Sequence, residues 1–383
     1  MTVAQPAYQK AEAIESLGLD AGALDRAKER LGTFLASCAG PDGNTGGIDP
    51  LAARAARDVL EPGPLALFRL KPHVLAEMER VDTRDLGRFL AYRYRFDVYP
   101  EHYLLDAYPP SVEIELTSMC NFRCVFCFQS HRPFTRKSNG HMGHMPLERF
   151  RRLIDELAGK VEAITFASRG EPLLCPDITP MLAAVAGRFL ALKINTNASM
   201  LTEDKCHALL SAGVSTLVFS ADAAEEPLYG RLRRNGKLDQ VVRNIRQFNQ
   251  IRAAHYPGAR TLTRVSGVHM LETEQDIEMM QAFWSDMVDQ VTFVRYYAKE
   301  NVYDEPLSSV SAPCSDLWRR MMIWWDGTVN PCEVDFMSAL ALGSVDDASI
   351  SDLWRGPAYQ ALREHHQNGQ RARVHPCNRC SLV

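Results

Sequence analysis

The middle of the chain alternates between short apolar runs and longer stretches with helical apolar spacing. Strands are predicted at 112–116, 163–167, 191–196, 216–220, 263–270 and 291–296. Helices are predicted between them, at 147–157, 178–186, 203–212, 241–253 and 274–287. Strands that alternate with helices form right-handed crossover units around a parallel sheet. We therefore predict an α/β fold over residues 111–300, a partial barrel of six strands with its chemistry at the C-terminal strand ends.

The two ends of the chain follow other patterns. Residues 1–110 are predicted to be a mainly helical N-terminal extension, with helices at about 8–38, 50–60 and 72–95 and a Gly/Pro-rich loop at 39–48. Residues 301–383 are rich in cysteine and form a third predicted domain. A domain of about 70 residues buries little core by itself, so a metal centre is expected to hold it together.

Composition and charge exclude several classes of protein. The 383 residues carry a net charge of −4 and 46% hydrophobic residues, which suits a globular chain without a polybasic tail. The N-terminus lacks the basic start and apolar run of a secretory signal. The longest apolar stretch, 181–194, is interrupted by Arg188 and Lys193 and is too short to cross a bilayer. We expect a cytoplasmic protein with no nucleic-acid or membrane partner.

Cysteine spacing indicates metal chemistry. Seven of the ten cysteines fall into two groups with ligand-like spacing. In a reducing compartment these are better explained as metal ligands than as disulfides. The first group, Cys120-x3-Cys124-x2-Cys127, follows the first barrel strand. Three thiolates can hold three irons of a cubane cluster and leave the fourth iron open, whereas a structural zinc site normally takes four ligands.

This first group resembles the cysteine motif of the radical S-adenosylmethionine (SAM) superfamily. The resemblance implies that Cys120, Cys124 and Cys127 bind a [4Fe–4S] cluster whose open iron chelates SAM. Reductive cleavage of SAM then yields a 5′-deoxyadenosyl radical that abstracts hydrogen from a substrate. Phe126 occupies the position of the aromatic residue that packs on the adenine.

Further polar segments at strand ends are similar to SAM-binding positions of the superfamily. The implied contacts are Ser168, Gly170, Glu171, Asn195, Asn197, Ser220 and Asp222. The first three lie in a segment similar to the G-G-E-P motif, in which Arg169 replaces the first glycine. Arg233 is expected to pair with the SAM carboxylate, with Arg231 and Arg234 as alternatives. Each of these polar residues is also typical of a strand-end cap or turn.

The second cysteine group consists of Cys314, Cys332, Cys377 and Cys380. An Asp-Gly hairpin at 326–327 and a helix at about 350–365 lie between its members. This layout resembles the twitch domain, a shortened SPASM domain, and implies one auxiliary [4Fe–4S] cluster bound by all four cysteines. With no open iron, such a cluster would transfer electrons. Four thiolates also suit zinc, which remains an alternative.

The combination is similar to radical SAM dehydrogenases of aminocyclitols and sugars. It implies hydrogen abstraction from a small polyol, aminocyclitol or sugar, oxidation to a ketone with the auxiliary cluster as electron acceptor, and a flavodoxin or ferredoxin as electron donor. The alternatives are radical epimerisation, modification of a ribosomal peptide by way of an N-terminal module of three strands and three helices, and a non-enzymatic electron carrier or zinc scaffold.

Four residues are candidates for the catalytic step. Arg295 and Tyr297 lie at the end of the last barrel strand, and His131 follows the first cysteine loop. Histidine titrates near neutral pH, whereas arginine is suited to anchoring a hydroxyl group. Cys175 would donate a hydrogen atom if the reaction were an epimerisation. For Arg295, Tyr297 and His131 the alternative is a surface or structural role. For Cys175 the alternative is that of a small buried apolar residue.

Overall fold

The computed structural model describes residues 13–17, 19–38, 49–270, 275–296 and 302–382. The strands are β1 (Ala13–Ser16), β2 (Ser111–Ile114), β3 (Arg123–Cys124), β4 (Ala163–Phe166), β5 (Ala191–Thr196), β6 (Thr216–Ser220), β7 (Arg233–Arg234), β8 (Leu262–His269), β9 (Gln290–Arg295), β10 (Arg320–Ile323) and β11 (Val329–Asn330). The helices are α1 (Ala23–Cys38), α2 (Pro50–Leu60), α3 (Pro72–Met78), α4 (Leu86–His102), α5 (Arg132–Thr135), α6 (Leu147–Leu157), α7 (Ile178–Val185), α8 (Glu203–Ser211), α9 (Leu228–Leu232), α10 (Leu238–His255), α11 (Ile277–Ser285), α12 (Asp316–Arg319), α13 (Ile350–Arg355) and α14 (Pro357–Gln367).

One large sheet organises the molecule, in the strand order β1-β9-β8-β6-β5-β4-β2-β10-β11. Its six central strands, from β2 to β9, are parallel and follow one another in chain order. Because a helix separates most neighbours, each crossover returns the chain to the same end of the sheet. The predicted α/β partial barrel is confirmed, and β5 and β6 have the predicted bounds.

Alternate residues of the barrel strands form the outer core. Ile114, Phe166, Ile194 and Leu217 stand side by side on adjacent strands, and all four are fully buried. Helix α6 covers this row, with the ring of Phe150 5.6 Å from that of Phe166. The apolar face of helix α6 and the alternate apolar residues of the barrel strands therefore pack together in one layer.

The N-terminal segment differs in detail from the prediction. The helix predicted at 72–95 is two helices, α3 and α4, and the first predicted helix begins only at Ala23. Before it, β1 pairs antiparallel with β9 at the edge of the sheet, a contact that no local pattern reveals. The predicted loop at 39–48 lies outside the described residues. The described part of residues 1–110 contains four helices and one strand, unlike the module expected for a peptide-modifying enzyme.

Helices α1–α4 cover the N-terminal end of the barrel. Arg88 of α4 binds Glu162, just before β4, at 2.6 Å. Arg80 binds Asp289, just before β9, at 3.3 Å. Both carboxylates directly precede barrel strands. The helical segment therefore closes the barrel from below, that is, at the N-terminal ends of its strands. None of the described helices is long and apolar enough to cross a membrane.

The predicted C-terminal hairpin is present but extends the barrel sheet. Strands β10 and β11 pair antiparallel, and Gly327 takes a φ of +89° in the turn, a conformation that favours glycine. Strand β10 also pairs in parallel with β2, placing Met322 opposite Glu113. The helix predicted at 350–365 is divided at Gly356, where a Cβ atom would lie 2.7 Å from the Asp352 carbonyl oxygen. The division of the chain at residues 110 and 300 stays a prediction.

Candidate active site

A cavity of about 970 Å³ occupies the barrel interior, from the C-terminal strand ends down to helices α3 and α4. It collects the residues that the sequence assigns to the first cluster and to SAM. Those lining it are Cys120, Cys124, Cys127, Phe126, Ser168, Gly170, Glu171, Asn195, Asn197, Ser220, Asp222 and Arg233. The structure thus brings the whole set to one place, while the role of each residue stays a prediction.

The first cysteine loop presents its thiols to this cavity. The backbone N–H of Phe122 donates to Cys120 Sγ at 3.4 Å, and that of Gln129 donates to Cys127 Sγ at 3.5 Å. Burial raises the pKa of Cys120 to about 12 and, likewise, that of Cys124 to about 12. Buried thiols of this kind ionise when a cation binds them, so the donor set fits an iron–sulfur cluster.

Arg233 is the arginine that reaches the cavity. Its Nε lies 2.5 Å from Asp222 Oδ2, and both side chains are buried. Burial opposes the charge of the guanidinium, but Asp222, Cys124 and Tyr229 together outweigh burial and raise the pKa of Arg233. Strand β7 pairs with β3 so that Arg233 stands opposite Cys124. The alternatives Arg231 and Arg234 are exposed at the surface.

The segment similar to G-G-E-P is tightly built. A Cβ atom on Gly170 would lie 2.1 Å from the Thr117 carbonyl oxygen, so only glycine fits there. Glu171 accepts hydrogen bonds from Thr196 Oγ1 and from the Asn197 N–H, both at 2.6 Å. Burial raises the pKa of its carboxyl group. Glu171 therefore ties the loop after β4 to the end of β5 while lining the cavity.

Among the predicted SAM contacts, two side chains have a buried polar atom that no group in the described part of the chain binds. Ser168 Oγ and Asn195 Oδ1 are buried and make no hydrogen bond within the described residues. Ser168 is also held at a φ of +97°, a strained conformation for a residue with a side chain. Asn197, in contrast, donates to Asn121 Oδ1 at 3.0 Å. Buried polar atoms are normally paired, so Ser168 and Asn195 fit a site completed by a polar ligand such as SAM.

Arg169, which replaces a glycine of the motif, is held by Glu115, Phe336 and Trp324. Its Nε and Nη2 bind the Glu115 carboxylate at 2.7 and 2.6 Å. Its Nη1 donates to the Phe336 carbonyl oxygen at 2.9 Å, and the guanidinium lies 4.2 Å from the ring centre of Trp324. The substitution therefore connects the SAM-site loop to the C-terminal segment.

A buried arginine, Arg371, binds the backbone at and near cysteines of the second group. Arg371 is 1% exposed and donates to the carbonyl oxygens of Cys377 at 3.2 Å and Cys380 at 2.9 Å. It also donates to the Ala312 carbonyl oxygen at 3.0 Å, two residues before Cys314. One side chain thus connects the segment of Cys314 to that of Cys377 and Cys380, while no hydrogen bond joins it to the Cys332 segment among the described residues. None of the four cysteines of this group lines the barrel cavity.

The thiols of the second group are mutually close and buried. Burial raises the pKa of Cys332 well above its ordinary value, and Cys377, Cys314 and Cys380 raise it further. Within the described ranges, no three His, Cys, Asp or Glu residues gather around a point that one metal ion would occupy. Ligands of a cubane are separated by the cluster's own atoms, so they need not converge in this way.

Three of the four predicted catalytic residues do not line the cavity. Among the described residues, Arg295, His131 and Cys175 are absent from its lining, and Tyr297 lies outside the described residues. Arg295 is exposed at the end of β9. Cys175 is 2% exposed, with its Sγ 3.8 Å from Met181 Sδ, and burial raises its pKa to about 11. Cys175 is therefore a core residue, because its loop turns inward beneath helix α7.

The sequence analysis missed a set of polar residues inside the barrel. Glu113, Thr165 and Lys193 stand in register on β2, β4 and β5 and line the cavity. The signal was present: Lys193 and Asn195 alternate with apolar residues in β5. Parallel strands covered on both faces are normally apolar throughout. Polar residues at every second position of such a strand indicate a polar interior.

Two family models match the chain and together cover more than half of it. The model of the radical SAM superfamily matches residues 114–281. The model of the SPASM iron–sulfur cluster-binding domain matches residues 314–381. The first match contains the cavity-side cysteines and the second contains all four C-terminal cysteines.

Two relatives align with this chain over most of their own length. The tungsten-containing aldehyde ferredoxin oxidoreductase cofactor-modifying protein of Pyrococcus furiosus is 25% identical over 318 residues, 70% of this chain and 86% of that protein. The S-adenosyl-L-methionine-dependent 2-deoxy-scyllo-inosamine dehydrogenase of Niallia circulans is 21% identical over 276 residues, 71% of this chain and 92% of that protein. The crystal structure of BtrN in complex with AdoMet and 2-DOIA shares the fold, with a TM-score of 0.50 and 17% identity over 73% of this chain and 95% of that one.

Proposed function

This chain is a radical SAM enzyme with a C-terminal SPASM-type iron–sulfur domain, and from that premise we propose that it oxidises a hydroxyl-bearing carbon of a small polyol, aminocyclitol or sugar to a ketone. Its cofactors are SAM and iron–sulfur clusters. These groups supply a 5′-deoxyadenosyl radical for hydrogen abstraction and a one-electron acceptor. A flavodoxin or ferredoxin is the proposed electron donor.

The proposed cluster ligands at the cavity are Cys120, Cys124 and Cys127. Arg233, held by Asp222, is the proposed partner of the SAM carboxylate, since it is a buried cation beside Cys124. Ser168, Asn195 and the rest of the predicted set are the proposed polar contacts of SAM.

The observation that carries the proposal is the separation of the two cysteine groups. Three thiols face the cavity, while the four C-terminal cysteines are absent from its lining, and Arg371 holds the segments of three of them through main-chain carbonyl oxygens. A cluster bound by all four of these thiols has no open iron for substrate, so its role is to accept an electron. Alcohol oxidation after hydrogen abstraction requires that acceptor, and the relative from Niallia circulans is named for a dehydrogenation.

Epimerisation receives no support from the candidate hydrogen donor. It would require a thiol within reach of the substrate radical, and Cys175 lies in the core against Met181. Oxidation is therefore the reaction we propose.

The test uses enzyme reconstituted under anaerobic conditions, with SAM, a reductant and 2-deoxy-scyllo-inosamine deuterated at its carbinol carbons. We expect deuterium in 5′-deoxyadenosine and one ketone for each molecule formed. The matched variant is Cys377→Ala/Cys380→Ala, which should still transfer deuterium but release no ketone. SAM cleavage without deuterium transfer from any cyclitol or sugar, or a product of unchanged mass, would refute the proposal.

A further inference from the structure

A band of polar side chains, two of them charged, crosses the barrel interior below the predicted SAM contacts. Glu113, Thr165, Lys193 and Thr216 are register partners on β2, β4, β5 and β6, and all four line the cavity. We name these four residues the interior band. Strands lie about 4.8 Å apart, so Glu113 and Lys193, with one strand between them, are anchored about 10 Å apart. A six-membered ring with its substituents fits between two side chains anchored at that distance.

The interior band lies one inward-facing step below the predicted SAM site. Asn195 is the next inward residue above Lys193 on β5, and two residues of a strand span about 6.6 Å. A ligand held by the interior band is therefore next to any ligand that contacts Asn195. Hydrogen abstraction requires this adjacency, because the reacting atoms must be brought nearly into contact.

Glu113 has an unsatisfied carboxylate oxygen in this interior. The residue is 8% exposed, and its Oε1 is buried without a hydrogen-bond partner among the described residues. Burial raises the pKa of Glu113 to about 7, and the negative charges of Glu333 and Asp316 add to the rise. The positive charges of Arg320 and Lys193 act in the opposite direction. A cation placed at Oε1 would satisfy the oxygen and offset the repulsion between the two carboxylates.

Lys193 is the amine on the opposite side of the band. Burial lowers the pKa of Lys193 to about 8, and the nearby cations Arg264 and Arg320 lower it further, while Glu113 and Glu77 raise it. Arg264 is itself held by Gln290 Oε1 at 2.9 Å. A lysine that releases its proton this readily is suited to general-base work near neutral pH.

We infer that the interior band is the substrate site, that it takes a small ring polyol bearing an ammonium group, and that Glu113 binds the ammonium while Lys193 accepts the hydroxyl proton. This inference rests on the proposed function and specifies its substrate class. In the reaction, a C–H and an O–H bond break and a C=O bond forms. One hydrogen atom goes to the 5′-deoxyadenosyl group, the proton goes to Lys193 Nζ, and the remaining electron goes to the auxiliary cluster.

The base is tested by separating hydrogen abstraction from product formation. In reconstituted Lys193→Met, deuterium transfer from 2-deoxy-scyllo-inosamine to 5′-deoxyadenosine should persist, while ketone formation falls at least about 100-fold. In the wild type the ketone rate should rise with pH up to about 8, and in the variant it should not. Lys193→Arg, which keeps the cation but removes the base, should behave like Lys193→Met. Lys160→Met, at an exposed lysine, is the matched control.

The ammonium site is tested by binding, without turnover. Calorimetry on the SAM-loaded enzyme compares 2-deoxy-scyllo-inosamine with myo-inositol, an uncharged ring polyol. Glu113→Gln should weaken binding of the amine at least about 10-fold and leave the affinity for the uncharged ring unchanged. Glu148→Gln, at a glutamate whose side chain is 89% exposed, is the matched control.

The outcomes separate the two proposals. If the wild type binds the amine through Glu113 but transfers no deuterium, the dehydrogenase proposal fails and the binding site stands. If the wild type makes ketone and the Lys193 and Glu113 variants match their controls, the interior band is not the substrate site. If the wild type does not bind the amine, the inferred substrate class is wrong.

Discussion

The two cysteine groups of this chain are built in opposite ways. Cys120, Cys124 and Cys127 lie on a loop at the barrel mouth and face a cavity of about 970 Å³. None of the four C-terminal cysteines lines that cavity, and the guanidinium of Arg371 donates to main-chain carbonyl oxygens in the segments of Cys314, Cys377 and Cys380. We call the first group open, because it borders this cavity, and the second group enclosed, because it does not.

This difference separates the chemical roles of the two sites. An exchangeable ligand needs a free coordination position with space beside it, as the first group provides with three thiols next to Ser168 and Asn195. An electron can pass to an enclosed cluster without any ligand exchange. A chain with both arrangements can generate a radical at one site and remove an electron at the other.

The most drastic way to break the comparison is to remove the open group. In Cys120→Ala/Cys124→Ala/Cys127→Ala, SAM cleavage should be abolished, because no cluster remains to reduce SAM. Iron should fall from about eight to about four per chain, the content of one cubane. Iron and sulfide analysis, with chromatography of 5′-deoxyadenosine, measures both. Cys206→Ala, at a core cysteine, should leave them unchanged; loss of all iron in the triple variant would show that the two groups are not independent.

Loosening the enclosed group should have a smaller effect, confined to that group. Arg371→Met removes hydrogen bonds to the carbonyl oxygens of Ala312, Cys377, Cys380 and Leu382. Leaving buried carbonyl groups unpaired costs about 3 kcal/mol or more. We expect a lower Tm and loss of about four irons per chain, with the first cluster and SAM cleavage retained. The exposed Arg151→Met variant is the control, and an unchanged iron content in Arg371→Met would contradict the assigned role.

The smallest expected effect concerns the free energy of unfolding and depends on Glu113, which lines the cavity beside the open group. The pKa of Glu113 is about 7 in the folded chain and ordinarily 4.5, so the folded state holds a proton that the unfolded state releases. Stability contributed by that proton is complete below pH 4.5 and is lost as the pH rises to 7. Glu113→Gln should therefore match the wild type at pH 5 and exceed it by about 3 kcal/mol at pH 8. Thermal unfolding of the reconstituted proteins at both pH values measures this, and an equal Tm difference at pH 5 and pH 8 would show that Glu113 does not titrate in this range.

The parts of the site that were predictable are those coded by local spacing. The run from Cys120 to Cys127 is defined within eight residues, and the polar residues after β4, β5 and β6 follow from the rule that parallel strands end at one edge. Their convergence on one cavity was therefore foreseeable. Of the three candidate arginines Arg233 alone lines the cavity, and its pairing with the SAM carboxylate stays a prediction.

Three of the catalytic candidates do not line the cavity, because reach depends on side-chain direction, and their roles stay predictions. Arg295 lies at a strand end, as the sequence indicates, yet it is exposed and outside the cavity lining. Cys175 follows the Gly170–Pro172 turn closely in sequence, but its loop carries it into the core. Glu113 and Lys193 lie in mid-strand, and the rule that places functional residues at strand ends does not apply to such positions.

The sequence by itself determined the α/β barrel, the two cysteine groups and the set of residues at the barrel mouth, because periodicity and short spacings are properties of neighbouring residues. Tertiary structure alone decided that helices α1–α4 close the barrel from below, that β10 joins β2, that Arg169 binds Glu115, and that Glu113 and Lys193 face one interior. Each of these pairs residues far apart in the chain. Their contacts depend on how the sheet curls and which face each strand turns inward, and no local pattern records that.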